Sequence, residues 1–367
     1  MLDKQKLQKI IADYHSKPPK KLIERDLSLP EDINKIVTVI GPRRSGKTAT
    51  IEHMAETLRV NGLKNSQILY LNFEDERLVL NSDDLDTILQ VYAEMYPAQD
   101  LANCYFMFDE IQNINGWEKF VRRLYDTVSS HVYITGSNSK LLSTEIATEL
   151  RGRTLTFELL PLSFNEYLRF KKIDSTLETT ANHAKIQTAF RDFMKYGGFP
   201  EIALLPEEYH KNILQDYFNV MIYRDMIERY QFGNVHVLKY FLKRMFESVG
   251  KPFSVNKVFN DLKSQNYNIG KNKLYQFLDA ANTIYMCAGV HKYSQSVLKQ
   301  ELSEKKYYAI DIGLLQALTF EFSNDFGSIL ENTVILELLK RGHKLFYFKD
   351  KKECDIIIQN NDGTLTP

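Results

Sequence analysis

The stretch Gly41-Pro42-Arg43-Arg44-Ser45-Gly46-Lys47-Thr48, reading GPRRSGKT, follows directly on the apolar run Ile36-Val37-Thr38-Val39-Ile40 and opens the helix-like segment TATIEHMAETLRV. The spacing is G-x-x-x-x-G-K-[ST]. Its glycines let successive backbone N–H groups turn inward, and a helix starting there adds its N-terminal dipole, so the loop is shaped to cradle phosphates. Backbone from Gly41 through Arg44, Ser45 and Gly46 to Ala49 would line that cradle, Lys47 would bridge the β- and γ-phosphates of ATP, and Thr48 would offer its hydroxyl to Mg²⁺. A surface Gly/Arg/Lys turn can carry the same letters, but the strand before and the helix after are the context the motif demands.

Outward from this loop, apolar runs alternate with helical patterns: IVTVI at 36–40, ILYLNF at 68–73, CYFMF at 104–108, HVYIT at 131–135 and TLTFEL at 154–159. Such alternation predicts a parallel sheet with covering helices. Ligands bind at the carboxyl ends of the strands in such sheets, and the run Tyr105-Phe106-Met107-Phe108 delivers two acids there. Asp109 would hold Mg²⁺ through water, and Glu110 would polarise the attacking water. A solvated acidic turn is the plainer reading of the same letters.

After the fourth run comes Thr135-Gly136-Ser137-Asn138. Asn138 is the first choice for orienting water and sensing the γ-phosphate, with Ser137 the alternative; either could equally cap the next helix. Arg151 and Arg153 precede the fifth run, where an arginine can reach the γ-phosphate of a neighbouring subunit or simply face a helix C-terminus.

The 367 residues exceed what one core usually organises, so two or three domains are expected. Lys+Arg and Asp+Glu both number 47, so any basic surface must be local. Cys104, Cys287 and Cys354 are too scattered for a disulfide framework or a zinc site. With no apolar leader and no run of 18 apolar residues, the expectation is a cytoplasmic protein without membrane partners.

Four segments follow: an α/β core at 1–162, a helical lid at 163–235, a winged helix-turn-helix at 236–311 and a partial α/β domain at 312–367. Between Lys251 and Ile310 nine lysines face four acids, with Lys271, Lys273 and Lys292, and also Lys305 and Lys306, interleaved with Tyr267, Tyr275, Tyr293 and Tyr307. A groove-docked helix ringed by lysines would suit DNA, although winged helices also serve as protein-binding elements. Trp117 is expected to pack its helix onto the sheet, and the eight histidines never pair at i, i+4.

GPRRSGKT, YLNFEDERL, FMFDEIQNINGWEKFVRRLYD, YITGSNSKLL and LRGRTLTFELLPLSFNEYL together resemble the AAA+ P-loop ATPases, in particular the archaeal ATPase-like group, and GGFPE, YFNVMIYRDMIERY and YYAIDIGLL extend the resemblance over nearly the whole chain. It implies a P-loop NTPase sheet in the order 5-1-4-3-2, a Walker A motif at 41–48, a Walker B motif at 105–110, sensor 1 at Asn138, and Arg153 rather than Arg151 as the finger. Arg191 and Arg224 are unranked candidates for sensor 2. Members of the group commonly end in a PD-(D/E)xK-like domain; Glu331 and Asp355 fall where its first acids lie. The later ligands are absent from a sequence ending TLTP, so the chain is not expected to be a competent nuclease.

The leading expectation is an enzyme that hydrolyses ATP with Mg²⁺ and couples this to conformational work, with DNA, a second copy of the chain or another protein as candidate partners. The competing readings are a slow ATP-dependent switch or scaffold that engages a protein, and a nucleic-acid-binding regulator with an auxiliary P-loop.

Overall fold

A computed structural model describes residues 3–20, 22–137, 149–176, 179–318, 326–360 and 362–367. The chain divides into two compact units, residues 1–159 and 160–367.

The first unit is a five-stranded parallel sheet: β1 (Ile36–Ile40), β2 (Ile68–Asn72), β3 (Tyr105–Asp109), β4 (Val132–Gly136) and β5 (Thr154–Glu158), in the order β2-β3-β4-β1-β5. Read from the other edge this is 5-1-4-3-2, the order the resemblance implies. Every residue of β1, β3 and β4 is buried. Burial on both faces is why these strands read as unbroken apolar runs rather than as alternating ones. β1 lies between β4 and β5, so the loop leaving its carboxyl end opens where the strand order switches direction.

The covering helices are α1 (Lys4–Ser16), α2 (Lys47–Val60), α3 (Leu85–Met95) and α4 (Trp117–Thr127). Helix α1 starts at Asp3, whose carboxylate accepts the N–H groups of Gln5 and Lys6. It buries Leu7, Ile10, Ile11 and Tyr14, a 3–4 spacing that turns one face inward. Tyr14 joins Val37, Val39, Ile51, Met54, Tyr70 and Met107 in the core on that side of the sheet. Trp117 opens α4 and is buried, as expected.

The second unit begins with α5 (Phe164–Phe170), α6 (Thr180–Tyr196), α7 (Pro200–Leu204) and α8 (Glu207–Val220), the last running into a π-helix at Met221–Glu228. Three helices follow, α9 (Val235–Phe246), α10 (Val255–Ser264) and α11 (Lys271–Thr283), and then the antiparallel pair β6 (Cys287–Lys292) and β7 (Lys306–Ala309), with the short α12 (Val297–Leu302) between its strands. The winged helix-turn-helix expected at 236–311 covers these three helices and this strand pair. The hairpin, however, is not self-contained: β6 also pairs in parallel with β8 (Lys344–Lys349), which continues through β9 (Glu353–Gln359) to β10 (Leu365–Thr366) in one sheet ordered β10-β9-β8-β6-β7. Helices α13 (Ile312–Leu318) and α14 (Phe326–Lys340) complete the unit.

Two motifs far apart in sequence, GGFP and IDIG, meet here. The Asp311 carboxylate accepts the Gly198 N–H on Oδ2 at 2.7 Å and the Gly313 N–H on Oδ1 at 2.8 Å. Burial pushes its carboxyl up to about 6 despite these donors. Gly197 has φ 78° and ψ −166°, a region essentially closed to side chains, and a Cβ there would lie 2.1 Å from Asp311 Oδ1. Gly197→Ala is therefore expected to destabilise the second unit by about 3 kcal/mol, read as a lower urea midpoint. An unchanged midpoint would show that the stitch is not needed.

Among the described residues no helix is long and apolar enough to cross a membrane.

Candidate functional site

The phosphate loop is set by its neighbours. A Cβ on Gly41 would sit 2.1 Å from the Leu159 carbonyl oxygen, so only glycine lets β1 leave the sheet this closely against the end of β5. From the segment before β1, the Arg25 guanidinium donates to the Ser45 carbonyl at 2.7 Å. Helix α2 starts at Lys47, which is 4% exposed; its ammonium donates to the carbonyls of Pro42 at 2.9 Å and Gly41 at 3.2 Å.

Both acids of YFMFDE are buried at the carboxyl end of β3. Asp109 is held by three hydroxyls. Thr48 Oγ1 donates to Oδ2 at 2.7 Å, Tyr70 OH donates to the same oxygen at 3.0 Å, and Thr135 Oγ1 donates to Oδ1. Burial raises the Asp109 carboxyl above its ordinary range, a shift these hydroxyls oppose.

Glu110 departs from Asp109 because its backbone is left-handed, with φ 54°. Its N–H donates to Thr135 Oγ1 at 2.8 Å, and its carboxylate lies 3.4 Å from the Lys47 ammonium. The other carboxylate oxygen accepts from the Gln112 side chain and from the Ser137 N–H, the latter at 3.2 Å. Burial pushes the Glu110 carboxyl up, but the Lys47 charge and these donors outweigh it and hold the group below its ordinary value. Two neighbouring acids on one strand end thus have opposite environments, one shifted up by burial and the other held down by the Lys47 charge.

Thr48 and Asp109 offer hard oxygen donors side by side, which suits Mg²⁺, an ion that takes one or two protein oxygens and completes its shell with phosphates and water. The structure thus brings Lys47, Thr48, Asp109 and Glu110 together. Arg153 stands apart from them in one respect: its Nε donates to Asp126 Oδ1 of α4 at 2.6 Å. Arg151 is exposed. Asn138 lies outside the described residues, while Ser137 is buried and touches Glu110 through its N–H. Arg191 and Arg224 belong to the second unit and are exposed there.

Sequence reasoning missed Tyr70, Thr135, Gln112 and Arg25. Tyr70 and Thr135 each stand in an apolar run, and only strand adjacency brings them to the acids.

In the second unit Lys271 is exposed and Lys273 and Lys292 are half-buried, with Tyr267 and Tyr275 exposed beside the first two. Lys306 is instead fully buried. Its ammonium lies 2.6 Å from Asp355, 3.5 Å from Glu331 and 3.6 Å from Glu353, so it neutralises the acids of that corner and cannot meet a phosphate backbone; Tyr307 is buried too.

The sheet order and the loop after β1 together define a P-loop NTPase fold. Residues 33–168 match the family described as an AAA domain, and residues 187–325 match a domain of unknown function, DUF8612. The uncharacterized protein MJ1544 of Methanocaldococcus jannaschii is 36% identical over 98% of this chain and 80% of its own length. An uncharacterized protein of Haemophilus influenzae is 30% identical over 91% of this chain and 82% of its own. The chain belongs to one family with these archaeal and bacterial proteins. Among solved structures, the Walker-type ATPase PABY2304 of Pyrococcus abyssi has the same fold, with a TM-score of 0.50 at 12% identity over 87% of this chain and 96% of that one.

Proposed function

We infer that the chain hydrolyses ATP with Mg²⁺ at this site. The observation that carries the reading is the convergence of Lys47, Thr48, Asp109 and Glu110 at the carboxyl ends of β1 and β3. Mg²⁺, when bound, supplies charge neutralisation on the β- and γ-phosphate oxygens. Thr48 and Asp109 hold the ion, and the loop N–H groups with Lys47 hold the phosphates. Phosphate oxygens compete with Glu110 for the Lys47 ammonium, so nucleotide entry releases the Glu110 carboxylate to accept a proton from the attacking water. Arg153 acts across a subunit boundary once it leaves Asp126, and Asn138 orients the water.

Arg153→Ala tests the shared-site part. The variant is expected to bind ATP normally and to lose on the order of 10³-fold in turnover of the assembled form. Equal turnover in wild type and variant, measured on a sized oligomer, would remove the finger role.

DNA is the second part of the reading, favoured by the exposed pair Tyr267 and Tyr275 beside Lys271 and Lys273. The discriminating assay is ATP turnover with and without DNA over a salt series, in wild type and in a Lys271→Ala, Lys273→Ala variant. Stimulation that weakens with salt and is lost in the variant supports DNA; stimulation by a protein partner alone supports the switch or scaffold reading.

A further inference from the structure

Tyr70 carries chemistry that the phosphate-loop motif does not assign. It stands on β2 in register with Met107 of β3, and Asn72 is in register with Asp109, so Tyr70 and Asp109 occupy diagonal positions on one face of two neighbouring strands. The Tyr70 ring is packed in the apolar core with Val39, Ile51 and Met54, where phenylalanine would fill the same space. Its hydroxyl, 3.0 Å from Asp109 Oδ2, is the one polar atom that the core position adds.

Three hydroxyls hold Asp109, and they are not equivalent. Thr48 is itself a metal ligand in the reading above: its hydroxyl has one proton to give and two lone pairs, so it must serve both the cation and the carboxylate. The Thr135 hydroxyl also accepts the Glu110 N–H, and neither it nor the Tyr70 hydroxyl is asked to hold the cation. Thr135 reaches Oδ1 from β4 and Tyr70 reaches Oδ2 from β2, so the two strands flanking β3 fix the two ends of one carboxylate. Behind Tyr70, the ring of Tyr14 stacks on it at 4.6 Å between centroids and 20° between planes, and the Arg59 guanidinium lies 5.3 Å from the centre of the Tyr14 ring. Tyr14 is the last buried residue of α1.

We propose that Tyr70 is a positioning residue for the metal-binding carboxylate of Asp109, and that α1 is its brace through Tyr14. The proposal rests on the reading that Asp109 holds Mg²⁺. It makes the N-terminal helix part of the metal site through the Tyr14–Tyr70 stack. The Tyr70 hydroxyl selects the orientation in which Asp109 meets the ion, an outer-shell task of the kind whose removal typically weakens a metal by about 10–100-fold.

Tyr70→Phe in the full chain removes one oxygen and leaves the packing. The readouts are Mn²⁺ affinity by electron paramagnetic resonance in the presence of a slowly hydrolysed ATP analogue, affinity for a fluorescent nucleotide without metal, and KM for Mg²⁺ against kcat. The expected result is Mn²⁺ affinity lowered by roughly 10-fold or more with metal-free nucleotide affinity unchanged, and a KM for Mg²⁺ that rises more than kcat falls. Tyr14→Ala, which touches no atom of the site, should move the same readouts in the same direction by a smaller factor. Asp109→Ala is the control for the parent reading. If Asp109→Ala weakens Mn²⁺ and Tyr70→Phe does not, the positioning role is wrong and the metal assignment stands; if Asp109→Ala leaves Mn²⁺ affinity unchanged, the metal assignment itself fails. Equal loss of metal and metal-free nucleotide binding in Tyr70→Phe would mark a general collapse of the loop and overturn the proposal.

Discussion

Lys47→Ala is expected to abolish ATP binding and, separately, to destabilise the first unit. The ammonium is buried between two loop carbonyls and the Glu110 carboxylate, so it is already desolvated, and an entering phosphate exchanges one anionic partner for another. Losing one partner of a buried, hydrogen-bonded charge pair costs about 2–5 kcal/mol, or roughly 30-fold to more than 1000-fold in affinity. Even without nucleotide the variant carries a second penalty. The side chains of Lys47 and Glu110 are 3% and 8% exposed, so deleting the cation strands a buried carboxylate at a cost of about 3–5 kcal/mol. Calorimetric titration with ATP and urea denaturation separate the two effects. Adding Glu110→Gln to Lys47→Ala should restore part of the stability and none of the binding, because the pair is coupled while phosphate recognition is not. Full stability in the single variant would contradict the buried pair.

Glu110→Gln should do the reverse. The amide keeps the shape of the carboxylate and can still accept the Ser137 N–H, so the fold and the nucleotide site survive. It cannot accept a proton from water, and turnover should fall by about 10²–10⁴-fold. Because the amide no longer competes for Lys47, ATP affinity should rise rather than fall. Binding by titration and phosphate release by a coupled assay read these opposite movements on one sample. Turnover at the wild-type rate would remove Glu110 as the base.

Much of the nucleotide core was legible in the sequence because its signals are local. The runs of β1, β3 and β4 are strands buried on both faces, the carboxyl end of β3 carries the acids, and the glycine pattern lies between β1 and α2. The residues that complete the site were not legible for the opposite reason. Tyr70 and Thr135 sit inside apolar runs, where tyrosine and threonine read as ordinary strand formers. Their task exists only because β2 and β4 flank β3, a pairing between segments dozens of positions apart in the chain. The same limit explains the second sheet. The pair β6–β7 looks like a closed wing when neighbours in sequence are considered, and its pairing with β8 is set by a contact across α13 and α14. Lys306 reads as a solvent-facing lysine beside tyrosines, yet β7 buries it against Glu331, Glu353 and Asp355.

The most direct measurement is phosphate release from ATP by the purified wild-type chain, with and without Mg²⁺, beside Lys47→Ala and Glu110→Gln. The account predicts Mg²⁺-dependent release by the wild type, none above background in either variant, and retained ATP binding only in Glu110→Gln. Wild-type release no greater than that of Lys47→Ala, in oligomeric samples with and without DNA, would contradict it.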